Sequence, residues 1–396
     1  MHPHVLIAGG GIGGLAATLA LLRVGIDVDV YEQARELREV GAGVQISANG
    51  NRTLYALGLQ QAMEALAVET QGKEIRLWNT GQTWKLFDLG PVSVERYGYP
   101  YCTVWRPDLL AVLADAVRRL KPNAIHLSAK CEGFTQVHDR VTLRLADGGS
   151  PAGDLLIGAD GVHSAIRSQL FGVGKASFTG FAAWRGVIPM ERLPAHLRRP
   201  IGTNWVGPGS HVVHYPLRSG TLMNFVGFVE RPDWQVESWM MRGDPADLLR
   251  DYAGWHEDVL TMIRAIDEPY QWALASRPPL ERWSVGSVTL LGDACHPTLP
   301  MLAQGAVMAL EDGFILARCL SASAAVDVAL QRYEQARIDR TTRIVIGSAE
   351  NGERFHNKKL GDAAEAARFV ETEWAKQRVD DRYDWLFRYD VTAVPI

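Results

Sequence analysis

Three short motifs and one strand carry the residue types from which a reaction site could be built. The first is Gly9-x-Gly11-x-x-Gly14, preceded by the apolar run HVLIA. It is followed by LAATLALLRVG, with helical periodicity, and by DVDVYEQ, whose β-branched alternation ends at Glu32. Strand, glycine turn, helix and second strand together fill the roughly 30 residues of a βαβ unit. In such a unit Gly9 permits the tight turn, Gly11 lets the backbone approach a pyrophosphate, and Gly14 lets helix and strand pack closely. The phosphates meet free N–H groups at the positive end of the helix dipole, and Glu32 can accept from ribose hydroxyls. This motif by itself fits FAD and NAD equally. The second and third motifs, Asp160-Gly161 and Gly292-Asp293-Ala294, each follow an apolar strand. Each sets a carboxylate at a strand's carboxyl end, where open α/β sheets meet ligands, although the same residues also form turns and helix caps.

The strand His211-Val212-Val213-His214-Tyr215 places His211, Val213 and Tyr215 on one face. A histidine and a tyrosine aimed into one pocket could deprotonate and orient a phenol, since imidazole titrates at about 6.5. A solvated strand face with two incidental polar residues fits the pattern as well. His296, just past Asp293, reads either as a loop-holding buried residue or as part of the site.

These side chains need a scaffold of more than one domain, and 396 residues suit two closely packed ones. The pattern is α/β up to residue 72, then short alternating segments such as EIRLWN and WKLFDL, then α/β again from 102. A second β-rich stretch covers 177–274, in which HVVHYPLRSGTLMNFVGFVE reads as a hairpin turning at Ser219-Gly220. The α/β pattern returns with VTLLGDA, and the tail is helical. The fold class predicted is α/β: a discontinuous Rossmann-like nucleotide domain (1–72, 102–176, 275–345) interleaved with a mostly antiparallel β domain (73–101, 177–274). A helical C-terminal segment (346–396) completes it.

Composition removes several function classes. A net charge of −4 and a pI near 6.3 give no electrostatic basis for binding nucleic acid or an anionic membrane. Cys102, Cys131, Cys295 and Cys319 are scattered without a CxxC pair, which suits neither a metal site nor a disulfide framework and points to a reducing compartment. No basic segment precedes the first apolar run, and no apolar stretch is long enough to span a bilayer. The expectation is a cytoplasmic enzyme without a resident metal, in which oligomerisation is open.

Taken together, in this order and spacing, the three motifs resemble those of the flavoprotein aromatic hydroxylases of the p-hydroxybenzoate hydroxylase fold. The resemblance spans nearly the whole chain and is nearest to the salicylate, 3-hydroxybenzoate 6- and 6-hydroxynicotinate 3-hydroxylases. It implies noncovalent FAD, with Gly9, Gly11, Gly13, Gly14 and Glu32 at its ADP half and Asp293 at the ribityl or pyrophosphate region. It implies further that Gln45, Arg106, Asp160, Leu302 and Ala303 contact the cofactor. Asp160 is similar to a residue that touches both FAD and the path of the nicotinamide. With one GxGxxG in the chain, NADH or NADPH docks transiently. His211 and Tyr215 take the place of the catalytic pair, and Trp184, Pro300, Met301 and Gln304 that of the substrate pocket's lining. The loop opening the helix after Ala303 is similar to one that lies close to the flavin ring.

The activity implied is hydroxylation of a small aromatic acid with NAD(P)H and O2 through a C4a-hydroperoxyflavin. A pyridine hydroxylase of the 6-hydroxynicotinate type and an FAD-dependent reductase or dehydrogenase of the same fold are the alternatives. Gln45 and Met301 stand where the 6-hydroxynicotinate enzymes carry histidines, and Pro300-Met301 where the 3-hydroxybenzoate 6-hydroxylases carry Gln-Tyr.

Overall fold

The runs Val5–Ala8, Leu155–Gly158 and Val288–Leu290 are apolar without alternation and wholly buried, as strands covered on both faces are. In the computed structural model, which describes residues 3–37, 42–174, 177–231 and 241–396, they form the centre of a parallel sheet. Its order is Val288–Leu290, Leu155–Gly158, Val5–Ala8, Val28–Tyr31, Ile125–His126. Ala8 lies beside Gly158 and Gly158 beside Leu290, so the three glycine and aspartate motifs leave adjacent strands at the same end. Helices Ile12–Arg23 and Gly305–Ala322 cross behind that end at very short range. A Cβ on Gly313 would stand 2.7 Å from the Ala17 nitrogen, so glycine is required at the crossing.

The second large sheet has seven strands, in the order Tyr270–Ser276, Ser177–Pro189, Leu222–Glu230, Ser210–Leu217, Ile201–Gly207, Gly72–Leu77, Thr83–Asp88. The strands from 72–88 thus join those from 177–276 in one layer. Every pairing is antiparallel except Ile201–Gly207 with Gly72–Leu77. One face packs on helices Pro245–Asp251 and Glu257–Arg264 through Trp184, Trp205, Val212 and Phe225. The other carries Val206, Phe228 and Trp272 toward Met301, Phe355 and the C-terminal helices. The seven-stranded sheet meets a separate three-stranded sheet (Gly43–Ile46, Cys102–Trp105, Val68–Glu69) at Gly43, whose N–H donates to Asn224 Oδ1 at 3.0 Å, and at Thr103, whose hydroxyl donates to the Pro216 carbonyl.

The β-rich stretches contain helices that alternation alone did not predict. Pro91–Tyr97 follows the strands of the first stretch, and Pro245–Asp251 and Glu257–Arg264 lie inside the second. Their caps are nevertheless written locally: the Asp244 carboxylate accepts from the Ala246 N–H, ahead of Pro245 at the first helical position. The tail is helical, as Val326–Phe355, Ala363–Glu373 and Lys376–Phe387. Val326–Phe355 is unbroken, so the boundary expected after residue 345 falls inside one helix. The boundary expected at residue 176 lies outside the described residues. Among the described residues, no helix is long and apolar enough to cross a membrane.

Candidate active site

The glycine turn has the shape of a phosphate cradle. Gly9 adopts φ +104°, and a Cβ there would meet the Ala159 carbonyl oxygen at 2.3 Å; one on Gly14 would meet the Gly9 oxygen at 2.0 Å. A Cβ on Gly11 meets nothing within 4 Å, so Gly11 borders open space at the start of helix Ile12–Arg23. Gly13 is needed for another reason: its Cβ would collide with Leu291 at 2.7 Å, where the third motif's strand ends. Glu32 accepts from the N–H groups of Gly10 (2.7 Å) and Ala34 (2.8 Å), which fixes its carboxylate beside the turn. The residues present therefore fit a dinucleotide, with the backbone bare where a pyrophosphate needs approach.

Asp160 spends its carboxylate on the helix that follows it. It accepts from the Ser164 hydroxyl (2.5 Å) and from the N–H groups of Ala165 (2.7 Å) and Ile166 (3.2 Å), while Ser164 caps Arg167. Arg167 donates to the carbonyls of Val162 and Ala294, locking the second motif to the third. Asp293 stays accessible, yet the protein around it raises its carboxyl above the usual range, against the pull of His296 and Arg106. Arg106 opens helix Arg106–Leu120 with its N–H on the Ala42 carbonyl. Asp293 and Arg106 thus converge although 187 residues apart in sequence.

Beneath the loop of residues 295–304 lies a buried ionic network that sequence reading missed. His296 Nε2 is 2.6 Å from Asp312 Oδ2, and Arg337 donates to Asp312 Oδ1 at 2.7 Å and reaches Glu311 at 2.8 Å. Arg340 makes a two-pronged pair with Glu311, which also accepts from Asn49 at 2.8 Å. Burial would raise the Asp312 carboxyl, but His296 and Arg337 outweigh it and hold it at about 2. Cys295, His296 and Asp312 come within ligand distance of one another, but Arg337 already occupies Asp312, and burial pushes the Cys295 thiol far up. Such a set reads as an ion-pair network. Gln304 belongs to it too: its amide oxygen accepts from Asn49 (3.1 Å) and its amide nitrogen donates to the Ser47 hydroxyl (3.0 Å), so it is buried and braces the loop. Pro300 is exposed and Met301 buried; Leu302 turns onto Gly347 of the long helix, and Ala303 ends the loop's short turn at φ +54°.

His211 and Tyr215 share one face of their strand, as alternation predicts. His211 and Tyr215 are buried on the sheet face turned toward the nucleotide domain. The His211 ring stacks on Phe228 at 4.3 Å, and its Nδ1 lies 2.5 Å from Nε2 of His356, at the end of the long helix. Burial, with His356 adding to it, pulls the His211 pKa well below the histidine range; burial brings His356 to about 4. Both imidazoles are neutral at working pH, and one donates to the other. Burial raises the Tyr215 phenol, which stays protonated. Tyr215 lies against Gly43, where a Cβ would come within 2.6 Å of the ring. Gln45 accepts from the Tyr101 hydroxyl at 3.0 Å.

Trp184 does not join them. It pairs with Gly227, which pairs with Val212, and so it shares the face opposite to His211. Its indole N–H donates to Asp251 behind the sheet. Ala183 and Trp272 occupy the pocket face in its place.

Comparison with known proteins agrees with this geometry. A family model described as an FAD binding domain matches residues 2–348. The chain is 38% identical to a 3-amino-4-hydroxybenzoate 2-monooxygenase of Streptomyces platensis over 395 residues, 99% of this chain and 98% of the relative. It is 35% identical to the 3-hydroxybenzoate 6-hydroxylase of Polaromonas naphthalenivorans, covering 98% of this chain and 96% of that one. Among solved structures, Klebsiella pneumoniae HpxO complexed with FAD and uric acid superposes with a TM-score of 0.83 at 29% identity, covering 99% and 97% of the two chains. The cradle, the convergent aspartates and the buried histidine face thus sit in a chain that belongs to the FAD-dependent aromatic monooxygenases.

Proposed function

We propose that this enzyme hydroxylates a small aromatic acid of the hydroxybenzoate type, with NADH or NADPH as reductant and O2 as cosubstrate, and with FAD bound noncovalently. The observation that carries the reading is the pair His211–His356, buried on the sheet face that meets the nucleotide domain. When bound, FAD supplies the hydride acceptor and the oxygen-activating centre. The protein's task is to make the ring electron-rich and keep water out.

A phenolate is the better nucleophile, so His211 accepts the substrate's hydroxyl proton at Nε2 while its Nδ1–H donates to His356 Nε2. That contact becomes a charge-assisted hydrogen bond once His211 is protonated, which offsets the low proton affinity that burial imposes on it. Tyr215, held as the neutral phenol, is a hydrogen-bond donor on the same face. Phe228, Leu299 and Met301 supply apolar walls that exclude water.

Asp293 and Arg106 are the groups placed to hold FAD beyond its ADP half. Asp293→Ala lowers FAD retention by about 1–3 kcal/mol, the cost of one lost hydrogen-bonding carboxylate. Flavin release on dilution measures it, and unchanged retention contradicts the assignment. The reading as a whole is tested by NADH and NADPH oxidation against hydroxybenzoates and hydroxypyridines, with product identification. Oxidation that no aromatic acid stimulates contradicts it.

A further inference from the structure

We propose that Lys73 is the carboxylate anchor of the aromatic-acid pocket, set to pair with a substrate whose ring hydroxyl faces His211. This inference rests on the hydroxylase reading above and specifies the end of the substrate that His211 does not touch.

Lys73 stands in strand Gly72–Leu77, in register with Gly202 of the neighbouring strand. Gly202 lies one step past the Thr203–His214 pair, which puts it opposite Tyr215. Lys73, Gly202 and Tyr215 therefore form one row across three strands, on the face that carries His211. Having no side chain, Gly202 leaves room for the lysine stem: a Cβ there would lie 3.5 Å from Lys73 Cγ and 3.6 Å from Cε. The ammonium sits 4.7 Å from the centre of the Tyr101 ring, whose hydroxyl is bonded to Gln45. Tyr101 is in turn an electrostatic neighbour of Tyr215. The row ends beside the Tyr101 and Phe87 rings, next to the three-stranded sheet that carries Gln45.

The Lys73 ammonium has no acceptor among the described residues. The nearby carboxylates are already engaged: Glu74, on the opposite face, accepts from Arg199 and Thr203, and Asp88 accepts from Lys85. Burial alone pulls Lys73 down to about 7. Lys73 is half-buried, and a partly desolvated cation without a counter-ion favours an anionic ligand beside it. The facing phenols, Tyr101, Tyr215 and Tyr383, are all raised by burial and stay neutral, so none supplies the charge. His211 and His356, farther along the face, are lowered and neutral as well. A ring carboxylate is the group of matching charge, and it distinguishes an aromatic acid from a neutral phenol.

Since a carboxylate binds the charged lysine, binding above about pH 7 requires proton uptake, and affinity falls about tenfold per pH unit there. The test uses the FAD-loaded enzyme, titrated with benzoate, 3-hydroxybenzoate and 4-hydroxybenzoate and with the corresponding neutral amides, and read by the flavin absorbance change. Wild type holds at least one acid more tightly than its amide. Lys73→Met weakens that acid roughly thirtyfold or more, as loss of a buried charge partner does, leaves the amide nearly unchanged, and abolishes the pH dependence. Lys73→Arg retains most of the acid's affinity. Full FAD content and a melting temperature not below wild type show that Lys73→Met is folded.

Equal weakening of acid and amide, or an unchanged acid, overturns the anchor. So does a wild-type enzyme that prefers none of the acids. Turnover of hydroxybenzoates with an unchanged KM in Lys73→Met sinks the anchor and leaves the hydroxylase standing. Lys73-dependent binding of acids that are never oxygenated does the reverse.

Discussion

Replacing His211 by alanine slows hydroxylation by a factor on the order of 10²–10⁴, the contribution of a positioned general base. Flavin reduction by NAD(P)H is spared, because hydride transfer requires no phenolate. Oxygen still reacts, so more hydrogen peroxide appears per NAD(P)H oxidised. His356→Ala has a smaller effect of the same kind, since it removes the partner that steadies protonated His211 without removing the base. His211→Ala with normal rate and normal coupling contradicts the assignment and moves attention to His296. Because His211 is neutral down to well below the usual histidine range, its own ionisation gives no acid limb between about pH 5 and 8.

The largest stability effect belongs to Arg337. Arg337→Met leaves Asp312 with His296 and the Gly292 N–H, and Glu311 with Arg340 and Asn49, all fully or nearly fully buried. Removing one partner from such a network costs about 3–5 kcal/mol, because uncompensated charge stays in the interior. Arg337→Lys recovers only part of this, having lost the planar fork that reaches both carboxylates. The midpoint of urea unfolding of the FAD-loaded enzyme reads the effect, and an unchanged midpoint contradicts it. The pH dependence has a definite sign. Asp312 is depressed from the ordinary aspartate value to about 2, so its stabilisation is complete above about pH 4 and is lost as pH falls toward 2. In Arg337→Met that acid-side loss is smaller and is complete at a higher pH.

What the sequence made legible is what is written locally. The cradle, the two aspartate turns and the alternation that joins His211 to Tyr215 each lie within a few residues, and each stands where its motif indicates. Trp184 falls on the face opposite to the one expected, because its face depends on register across two neighbouring strands, Trp184 to Gly227 to Val212, which alternation within one strand cannot supply. Gln304 reads as a pocket residue because of its loop, whereas its amide is tied to Ser47 and Asn49, some 255 residues away in sequence. His356 and Lys73 carry no motif: each becomes part of the site only when a long helix ends, or a strand pairs, at that spot. Arg337 and Arg340 did leave a trace, as two arginines three apart on one helix after a buried Glu-Asp pair, but long-range pairing of that kind has no spacing rule.

Oxygen-18 labelling tests the central claim most directly. The FAD-loaded enzyme turns over an aromatic acid with NAD(P)H under labelled O2, and the ring product is analysed by mass. The account predicts labelled oxygen in a new ring hydroxyl, and in His211→Ala a shift of that label into hydrogen peroxide. NAD(P)H consumed with every label in peroxide or water for the wild-type enzyme, or a substrate oxidised without gaining oxygen, would contradict it and leave a flavin reductase or dehydrogenase.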